Sequence, residues 1–266
     1  MQRRQFLAGL ALLPALPLMA YAEDAELTIG IYPGTGKADI FMDEFRAAAM
    51  PFAQALGASL GLDPKLTLFR TIKTTLKSLE KGRLDLYFVP PSVAVSVLDS
   101  GYSPVSRVKD QATGIMIRRK GVPVETVAMT EKESWLDVMG RYMVKRNSAG
   151  AMPKIVNFKS QEDVTIALER NHAQAGSLRT KAADALLAKG EFEVWVSLPS
   201  TPDFTLMASD RLTDAEKNKI GAASTALRQD AIVSLQKTIH SKVTGFVIDK
   251  EADYKIIKVA LKEAGY

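Results

Sequence analysis

A strand–helix–strand–helix pattern occurs twice in this chain, and it constrains the fold more than any other feature. Residues 68–98 (LFRTIKTTLKSLEKGRLDLYFVPPSVAVSVL) align without gaps with residues 157–187 (NFKSQEDVTIALERNHAQAGSLRTKAADALL), so that position 68 meets position 157, 89 residues later. Short apolar runs that alternate with helical stretches are typical of βαβ units on a largely parallel sheet. The few identities between the copies can arise from this shared patterning alone. Either way, two similar halves predict an α/β fold with two lobes.

Further elements complete each half. A strand–loop–helix unit precedes each copy: TIGIYPGTGKAD in the first half and ETVAMTEKESW in the second. SLPSTPDF, whose two prolines suit a connecting strand or hinge, returns the chain to the first half, where FTLMAS rejoins the first sheet. The C-terminal part is predicted to be helical and contains a capping box of Thr213 and Glu216. We therefore expect residues 23–121 and 203–266 to form lobe 1 and residues 122–202 to form lobe 2.

The first 22 residues read as an export signal rather than as part of the fold. A basic start, an apolar run too short to span a bilayer and the small-x-small sequence AYA predict cleavage after Ala22. RRQFL resembles a twin-arginine signal, although Gln2 and Ala8 stand where Ser or Thr and Lys are usual. The mature chain is therefore expected outside the cytoplasm.

The composition excludes several kinds of chemistry. The chain has no cysteine, and its two histidines are His172 and His240, which excludes a thiolate nucleophile and a zinc site of the usual ligands. No G-x-S-x-G elbow supports a Ser-His-Asp site, and we expect neither a metal nor a cofactor. The leader holds two of the 35 basic residues, so 33 basic and 30 acidic residues remain, a net charge of +3. This mild charge, without a basic block, argues against a nucleic-acid partner.

The loop YPGTGK after the first strand resembles a nucleotide-binding loop only in part. Such a loop needs a glycine five residues before Gly36 and a hydroxyl residue after the lysine, but this chain has Ile31 and Ala38 there. In α/β sheets, the ligand crevice is lined by loops at the carboxyl ends of strands and by the N-termini of the following helices. We therefore interpret YPGTGK as a crevice loop whose glycines let backbone N–H groups approach a ligand.

Several stretches resemble the periplasmic solute-binding proteins of phosphate/phosphonate-type ABC importers: the export signal, LTIGIYPGTG, KSLEKGRLDLYFVPPSVA, ALERNHAQAGSLRT and SLPSTPDF. The best local match is G-x-x-D before a strand that ends in proline, here Gly82, Asp85, Pro90 and Pro91. The resemblance implies a periplasmic protein with the type II periplasmic-binding-protein fold. Its two lobes, each a mixed and mostly parallel sheet flanked by helices, are joined by two crossover strands. It also implies hinge closure on a small-molecule ligand and delivery to a membrane permease.

Positions that should face the crevice supply candidate ligand contacts. Either Tyr87 or Phe88 is expected to pack in the core, since alternate residues of LDLYFVPP must contact helices, and the other to face an organic ligand. Arg179 begins a helix of lobe 2 and suits a bidentate pair with a carboxylate or phosphate, although a solvated arginine fits equally well. The candidate ligand-binding residues are Tyr32, Thr35, Tyr87, Phe88, Pro90, Ser92, Thr130, Glu131, Ser134, Arg179 and Thr180.

The loop TEKES departs from the family pattern. Phosphonate binders usually present a Ser/Thr/Gly-rich loop at this place, whereas Glu131 and Glu133 would repel a dianion and Thr130, Lys132 and Ser134 would favour one. Acidic residues at a helix start are also ordinary partners of the helix dipole. The family favours an organic anion such as a phosphonate, and the glutamates favour a neutral, cationic or lipid-like ligand.

Three functions are compatible with the sequence. The leading prediction is a monomeric, non-enzymatic binding protein that captures a small organic ligand and hands it to the permease of an ABC-type transporter. The second is a periplasmic sensor or adaptor that is not coupled to import, and permease and ATPase genes beside this one would argue against it. The third is an enzyme on the same fold, which requires a crevice residue whose substitution abolishes turnover while the protein stays folded.

Overall fold

The computed structural model describes residues 26–34, 41–82, 84–148, 150–239, 242–249 and 253–266. The predicted export signal and Thr35, with most of the YPGTGK loop, lie outside these residues. The described strands, in chain order, are β1 (Glu26–Ile31), β2 (Asp63–Leu68), β3 (Leu86–Val89), β4 (Tyr102–Val108), β5 (Gln111–Ala112), β6 (Gly114–Arg119), β7 (Thr126–Met129), β8 (Lys154–Asn157), β9 (Ala175–Arg179), β10 (Phe192–Ser197), β11 (Thr201–Pro202), β12 (Thr205–Ser209) and β13 (Phe246–Ile248).

The described helices lie between these strands and at the C-terminus. They are α1 (Met42–Leu60), α2 (Ile72–Glu80), α3 (Pro91–Leu98), α4 (Trp135–Asn147), α5 (Gln161–Glu169), α6 (Thr180–Leu187), α7 (Asp214–Thr225), α8 (Gln229–Gln236) and α9 (Lys255–Ala264).

The first sheet has the strand order β13–β4–β12–β3–β1–β2. β1 runs parallel to β2 and β3, whereas β12 is antiparallel to β3 and β4. Helices cover both faces of this sheet, because its strands carry apolar residues on both sides. One core joins the sheet to α1, α7 and α8, and the core on the other face joins it to α2, α3 and α9.

The second sheet has the order β10–β6–β9–β7–β8. β7 runs parallel to β8 and β9, and β6 is antiparallel to β9 and β10. α4 packs on one face together with Ala260 of α9, and α5 and α6 pack on the other face. Each sheet therefore has two hydrophobic cores of its own, which confirms the predicted two-sheet α/β fold.

Two short crossover strands connect the sheets. β5 and β11 pair antiparallel, with Thr201 opposite Ala112 and Pro202 opposite Gln111. The chain leaves the first sheet through β5 and returns through β11, so this two-stranded ribbon lies at both passages between the sheets. Such a pair of connections is the usual place of a hinge.

The predicted boundary of lobe 1 at residue 121 is wrong. β6 pairs with β9 and β10 in the second sheet, so the second half begins directly after β5 and not after residue 121. The sequence GIMIRRKG correctly predicted a strand, but strand pairing depends on distant residues and leaves no local signal. The return to the first half near residue 203 agrees with the pairing of β11 and β12.

The internal repeat of the sequence is also present in the three-dimensional structure. α2 begins at Ile72 and α5 at Gln161, 89 residues later, and α3 and α6 begin at Pro91 and Thr180 with the same separation. α2 and α5 even share a type of N-terminus, because the residues before them, Thr71 and Ser160, both form capping boxes. The offset in the sequence therefore reflects two equivalent β–α–β–α units.

Helix α1 contains a proline in its interior, and helix α9 contacts both halves of the protein. The sequence predicted a helix bent or broken at Pro51, and in the structure the helix is not broken, because α1 continues through this residue for 19 residues. Its buried face, which includes Phe45, Phe52 and Leu56, packs in the core along its whole length and offsets the lost backbone hydrogen bond. At the C-terminus, α9 packs against α3 and against α4 and therefore touches both halves.

Candidate functional site

The crevice between the sheets is bordered by the carboxyl ends of the parallel strands. Tyr32 follows β1, and the first turns of α2 and α3 follow β2 and β3. From the second half, the loop 130–134 follows β7, and the first turn of α6 follows β9. The two halves meet here, since α3 packs against α4.

A hydrogen bond between Tyr32 and Glu131 joins the halves at this point. The Tyr32 hydroxyl donates to the Glu131 carboxylate at 3.1 Å. The backbone N–H of Ile72, the first residue of α2, lies close enough to the same carboxylate to lower its pKa, although burial has the larger effect. Tyr32 is 1% exposed. Burial and then the Glu131 carboxylate raise the pKa of Tyr32 well above its usual value, and burial raises the pKa of Glu131.

The loop that carries Glu131 is folded on itself. The hydroxyls of Thr130 and Ser134 share a hydrogen bond of 2.6 Å, and Ser134 caps α4 by accepting from the backbone N–H of Asp137. Glu133 has a φ of 68°, an uncommon value for a residue other than glycine, and its backbone N–H donates to the Asp137 carboxylate. Burial and the nearby Asp137 raise the pKa of Glu133. These contacts hold Thr130, Glu131 and Ser134 in fixed positions.

Asp137 is the buried centre of the polar network behind this loop. Its carboxylate accepts from Arg141 Nε at 2.8 Å, from Asn157 Nδ2 at 2.6 Å and from the Tyr266 hydroxyl at 2.6 Å. Asn157 also donates to the backbone carbonyl of Thr130 at 2.6 Å. The C-terminal residue of the chain therefore helps to position the crevice loop.

Arg179 is already paired within the protein. Its guanidinium donates to both carboxylate oxygens of Asp203, at 3.1 and 3.3 Å, and lies 4.6 Å from the ring centroid of Trp135. Asp203 is 2% exposed and lies between β11 and β12, next to the crossover ribbon. The neighbouring Thr180 donates to Thr113, which lies between β5 and β6. Arg179 therefore ties the second half to the crossover region instead of presenting a free cation.

Two buried polar atoms at helix starts have no hydrogen-bond partner in the described part of the chain: Ser92 Oγ in the first turn of α3 and Trp135 Nε1 at the start of α4. Ser92 is 2% exposed, and its neighbour Pro90 precedes the helix as a buried N-cap residue. Unsatisfied buried polar groups are rare and suggest a missing partner such as a ligand or a water molecule. One such atom comes from each half of the protein.

The prediction that one of Tyr87 and Phe88 faces the ligand is corrected by their contacts, because both side chains pack between the first sheet and its own helices. Phe88 packs beside Phe52 and Phe204 on one face of the first sheet. Tyr87 points to the opposite face, where its hydroxyl shares a hydrogen bond with Ser78. A central strand that is covered by helices on both faces buries successive residues alike.

Of the other candidate residues, the structure brings together Tyr32 and Glu131, and Thr130 and Ser134. Arg179 and Thr180 lie nearby, with Arg179 over the first residue of α4. Pro90 and Ser92 start α3 on the first half. Thr35 lies outside the described residues. No group of three or more His, Cys, Asp or Glu side chains in the described ranges can hold a metal ion.

Residues 42–254 match the family described as "ABC transporter, phosphonate, periplasmic substrate-binding protein". The chain belongs to this family. The predicted family is therefore confirmed, and its members are periplasmic proteins that bind substrates for transport. No curated protein sequence matches the chain. Within the described ranges, no helix has the length and apolar character needed to cross a bilayer.

Solved structures with the type II periplasmic-binding-protein fold are similar to this member of the phosphonate-binding family. XAC2383 from Xanthomonas citri, bound to ATP, is 12% identical with a TM-score of 0.72, covering 91% of this chain and 97% of that chain. PhnD1 from Prochlorococcus marinus, in complex with methylphosphonate, is 13% identical with a TM-score of 0.68, covering 91% and 99%. The aliphatic sulphonate binding protein SsuA from Escherichia coli is 14% identical with a TM-score of 0.55, covering 90% and 85%.

Several polar residues of this member of the phosphonate-binding family were not predicted from the sequence. Asp203 could have been selected from the sequence, because it is an acidic residue in SLPSTPDF, beside the predicted hinge. Asp137 and Asn157 offered no comparable signal, because their roles depend on contacts between α4, β8 and the C-terminus. Trp135 follows the predicted loop directly, but its contact with Arg179 requires the fold.

A separate surface depression of about 590 Å³ lies between α1 and the start of β2. Its lining includes Gln54, Ala58 and Asp63. Asp63 is paired with Glu26 at the amino end of β1, so the depression borders the opposite end of the first sheet from Tyr32. Ligands of open α/β sheets bind at the carboxyl ends of strands, and we therefore assign the ligand site to the crevice.

Proposed function

We propose that this chain captures a small organic ligand in the crevice between its two sheets and delivers it to the permease of an ABC transporter. The observation that carries the proposal is the contact across the crevice: Tyr32, at the end of β1 in the first half, donates a hydrogen bond to Glu131, in the loop after β7 in the second half. A hinge at the ribbon can open and close this contact as a ligand enters and leaves.

Within this proposal, the ligand contacts come from both halves. Tyr32 and Ser92 contribute from the first half, and Thr130, Glu131, Ser134, Arg179 and Thr180 contribute from the second. Thr35 stays a prediction of the same kind. The Ser92 hydroxyl and the Trp135 indole N–H, which have no hydrogen-bond partner among the described residues, are suitable donors for a polar ligand atom.

The proposal includes export, a monomeric state and the absence of catalysis. The N-terminal sequence supports export and cleavage after Ala22, with the twin-arginine route as the proposed pathway. The membership in a transport family and the sequence without cysteine or a nucleophile elbow support binding without turnover. Adjacent permease and ATPase genes would distinguish import from sensing.

A thermal-shift screen tests the capture function. The mature protein is heated with organic anions, amines and neutral polar compounds, and a ligand at about 100 times its Kd should add roughly 2.7 kcal/mol to the unfolding free energy. For a chain of this size, that corresponds to a rise of several degrees in the melting temperature. A panel that covers all three charge classes and leaves the melting temperature unchanged would contradict the proposal.

Substitution of Ser92 locates the bound compound. Because Ser92 Oγ has no protein partner among the described residues, Ser92→Ala should leave the melting temperature of the free protein unchanged. It should weaken binding of the compound found in the screen by roughly tenfold, the loss expected for one hydrogen bond in a buried site. Ser96→Ala, one turn later on α3, is the matched control and should not change affinity. If the wild type, Ser92→Ala and Ser96→Ala bind the compound with equal affinity, the ligand does not contact α3.

A further inference from the structure

Glu131 already occupies a position that suits the anionic group of a ligand. Its carboxylate accepts the hydroxyl of Tyr32 from the other half at 3.1 Å, and it lies close enough to the backbone N–H of Ile72, at the start of α2, for that group to lower its pKa. The N-terminus of a helix presents unpaired N–H groups and a positive dipole end, and it therefore favours an anion. In this chain the anion is supplied by the protein itself, from the opposite half of the crevice.

The cationic group predicted to attract an anion is not available either. Arg179 is bound through two hydrogen bonds to Asp203, which is 2% exposed. Pairing of a guanidinium with a buried carboxylate neutralises its charge locally and fixes its direction. A dianion that entered here would meet the Glu131 carboxylate, and Arg179, which is held by Asp203, is not free to compensate the repulsion.

The position of Glu131 follows from the fold rather than from chance placement of a surface side chain. The loop is held by the hydrogen bond between Thr130 and Ser134 and by the bond from Glu133 to Asp137. Tyr32, its partner, is 1% exposed and cannot turn its hydroxyl into solvent without leaving the core. By contrast, Glu133 lies in the same loop, and its backbone N–H donates to Asp137 within its own half.

We propose that Glu131 is a specificity-determining residue that excludes phosphonate and phosphate dianions from the start of α2, so that this crevice takes a ligand whose facing group is uncharged or cationic. The inference rests on the proposed capture function and narrows its ligand class. Because like charges in close contact disfavour binding, removal of the Glu131 charge should admit a dianion to the same helix N-terminus.

The test compares methylphosphonate and inorganic phosphate as probes by isothermal titration calorimetry at mildly alkaline pH. The proteins are the wild type, Glu131→Ala, Glu131→Gln and the matched control Glu133→Gln, which removes one charge from the same loop. Glu131→Gln keeps an oxygen acceptor for the Tyr32 hydroxyl and remains informative if the alanine variant is poorly folded. Both Glu131 variants should bind methylphosphonate at least about tenfold more tightly than the wild type and the control.

Three outcomes would overturn the inference: tight binding of methylphosphonate by the wild type, no gain in either Glu131 variant, or an equal gain in Glu133→Gln. The first outcome still supports ligand capture, since the crevice then binds an anion in spite of Glu131. A failure of the capture function looks different: neither the wild type nor any variant responds to anions, amines or neutral compounds in the thermal-shift screen.

Discussion

At the scale of single residues, the crevice depends on carboxylates that are satisfied by partners from distant parts of the chain. The Asp137 carboxylate is fully buried and accepts hydrogen bonds from Arg141, Asn157 and Tyr266. A buried carboxylate is tolerated only when hydrogen bonds and a counter-charge replace its hydration. Removal of the Asp137 carboxylate should therefore be costly, because it would leave the buried donors around it without their acceptor.

Substitution Asp137→Asn should be strongly destabilising. The amide places an NH2 group among side chains that donate to the present carboxylate, and it leaves Arg141 without its charge partner. We expect a loss of roughly 3 kcal/mol in the free energy of unfolding, measured by urea denaturation. Asp184→Asn, at an exposed position of α6, is the control and should change stability by less than about 0.5 kcal/mol. Similar small effects for both variants would show that the network around Asp137 contributes little.

The raised pKa of Glu131 predicts a pH dependence with a definite sign. Because burial raises the pKa of Glu131 in the folded protein above its ordinary value of 4.5, the folded protein takes up this proton at a higher pH than the unfolded chain. As the pH falls from neutral toward 4.5, the unfolding free energy of the wild type should therefore rise relative to Glu131→Gln, and the difference should be constant below that range. A difference that is flat with pH, in paired urea titrations, contradicts the assignment of a desolvated carboxylate.

The sequence predicted candidate ligand contacts in loops that follow strands, and their role in ligand binding stays a prediction. Tyr32, Thr130, Glu131 and Ser134 were all predicted from their places at strand ends, and the structure joins them in pairs. The prediction for Tyr87 and Phe88 failed because a local pattern does not show that a strand is covered on both faces.

At the scale of elements, the internal repeat is expressed in matching helix starts. Thr71 and Ser160, 89 positions apart, each accept a backbone N–H from the third residue of the following helix, and that residue's side chain returns a bond to the cap. Two equivalent units that use the same cap should show similar energetic costs when the cap is removed.

Thr71→Ala and Ser160→Ala should each lower the free energy of unfolding by roughly 1 kcal/mol, the usual cost of losing an N-cap side chain. Thr165→Ala, in the middle of α5, is the control, because alanine has the higher helix propensity there. Thermal denaturation of the three variants gives the comparison. If the cap variants are as stable as the control, the capping boxes do not stabilise these helices in solution.

The order of elements was largely predictable because hydrophobic periodicity and helix caps are local properties of the sequence. The predicted capping box of Thr213 and Glu216 is confirmed at the start of α7, and FTLMAS forms β12 in the first sheet as predicted. The membership of β6 in the second sheet was not predictable, because it depends on pairing with β9 and β10, far along the chain.

At the scale of the whole molecule, two kinds of connection join the halves. The ribbon of β5 and β11 provides the covalent crossings. Non-covalent contacts lie elsewhere: Tyr32 with Glu131 at the crevice, and α9 against α3 and α4, where Glu263 pairs with Arg146 through two hydrogen bonds. A hinge motion must break the crevice contact and must slide or release α9, so both should affect the equilibrium between open and closed forms.

A crystal structure of the complex tests the central claim, that the ligand binds between the two halves, most directly. The compound that raises the melting temperature most in the screen is the one to crystallise with the mature protein. We predict electron density for it between Ser92 and Tyr32 on one side and Thr130, Ser134 and Arg179 on the other. Density in the depression between α1 and β2, with the halves still joined through Tyr32 and Glu131, would contradict the account.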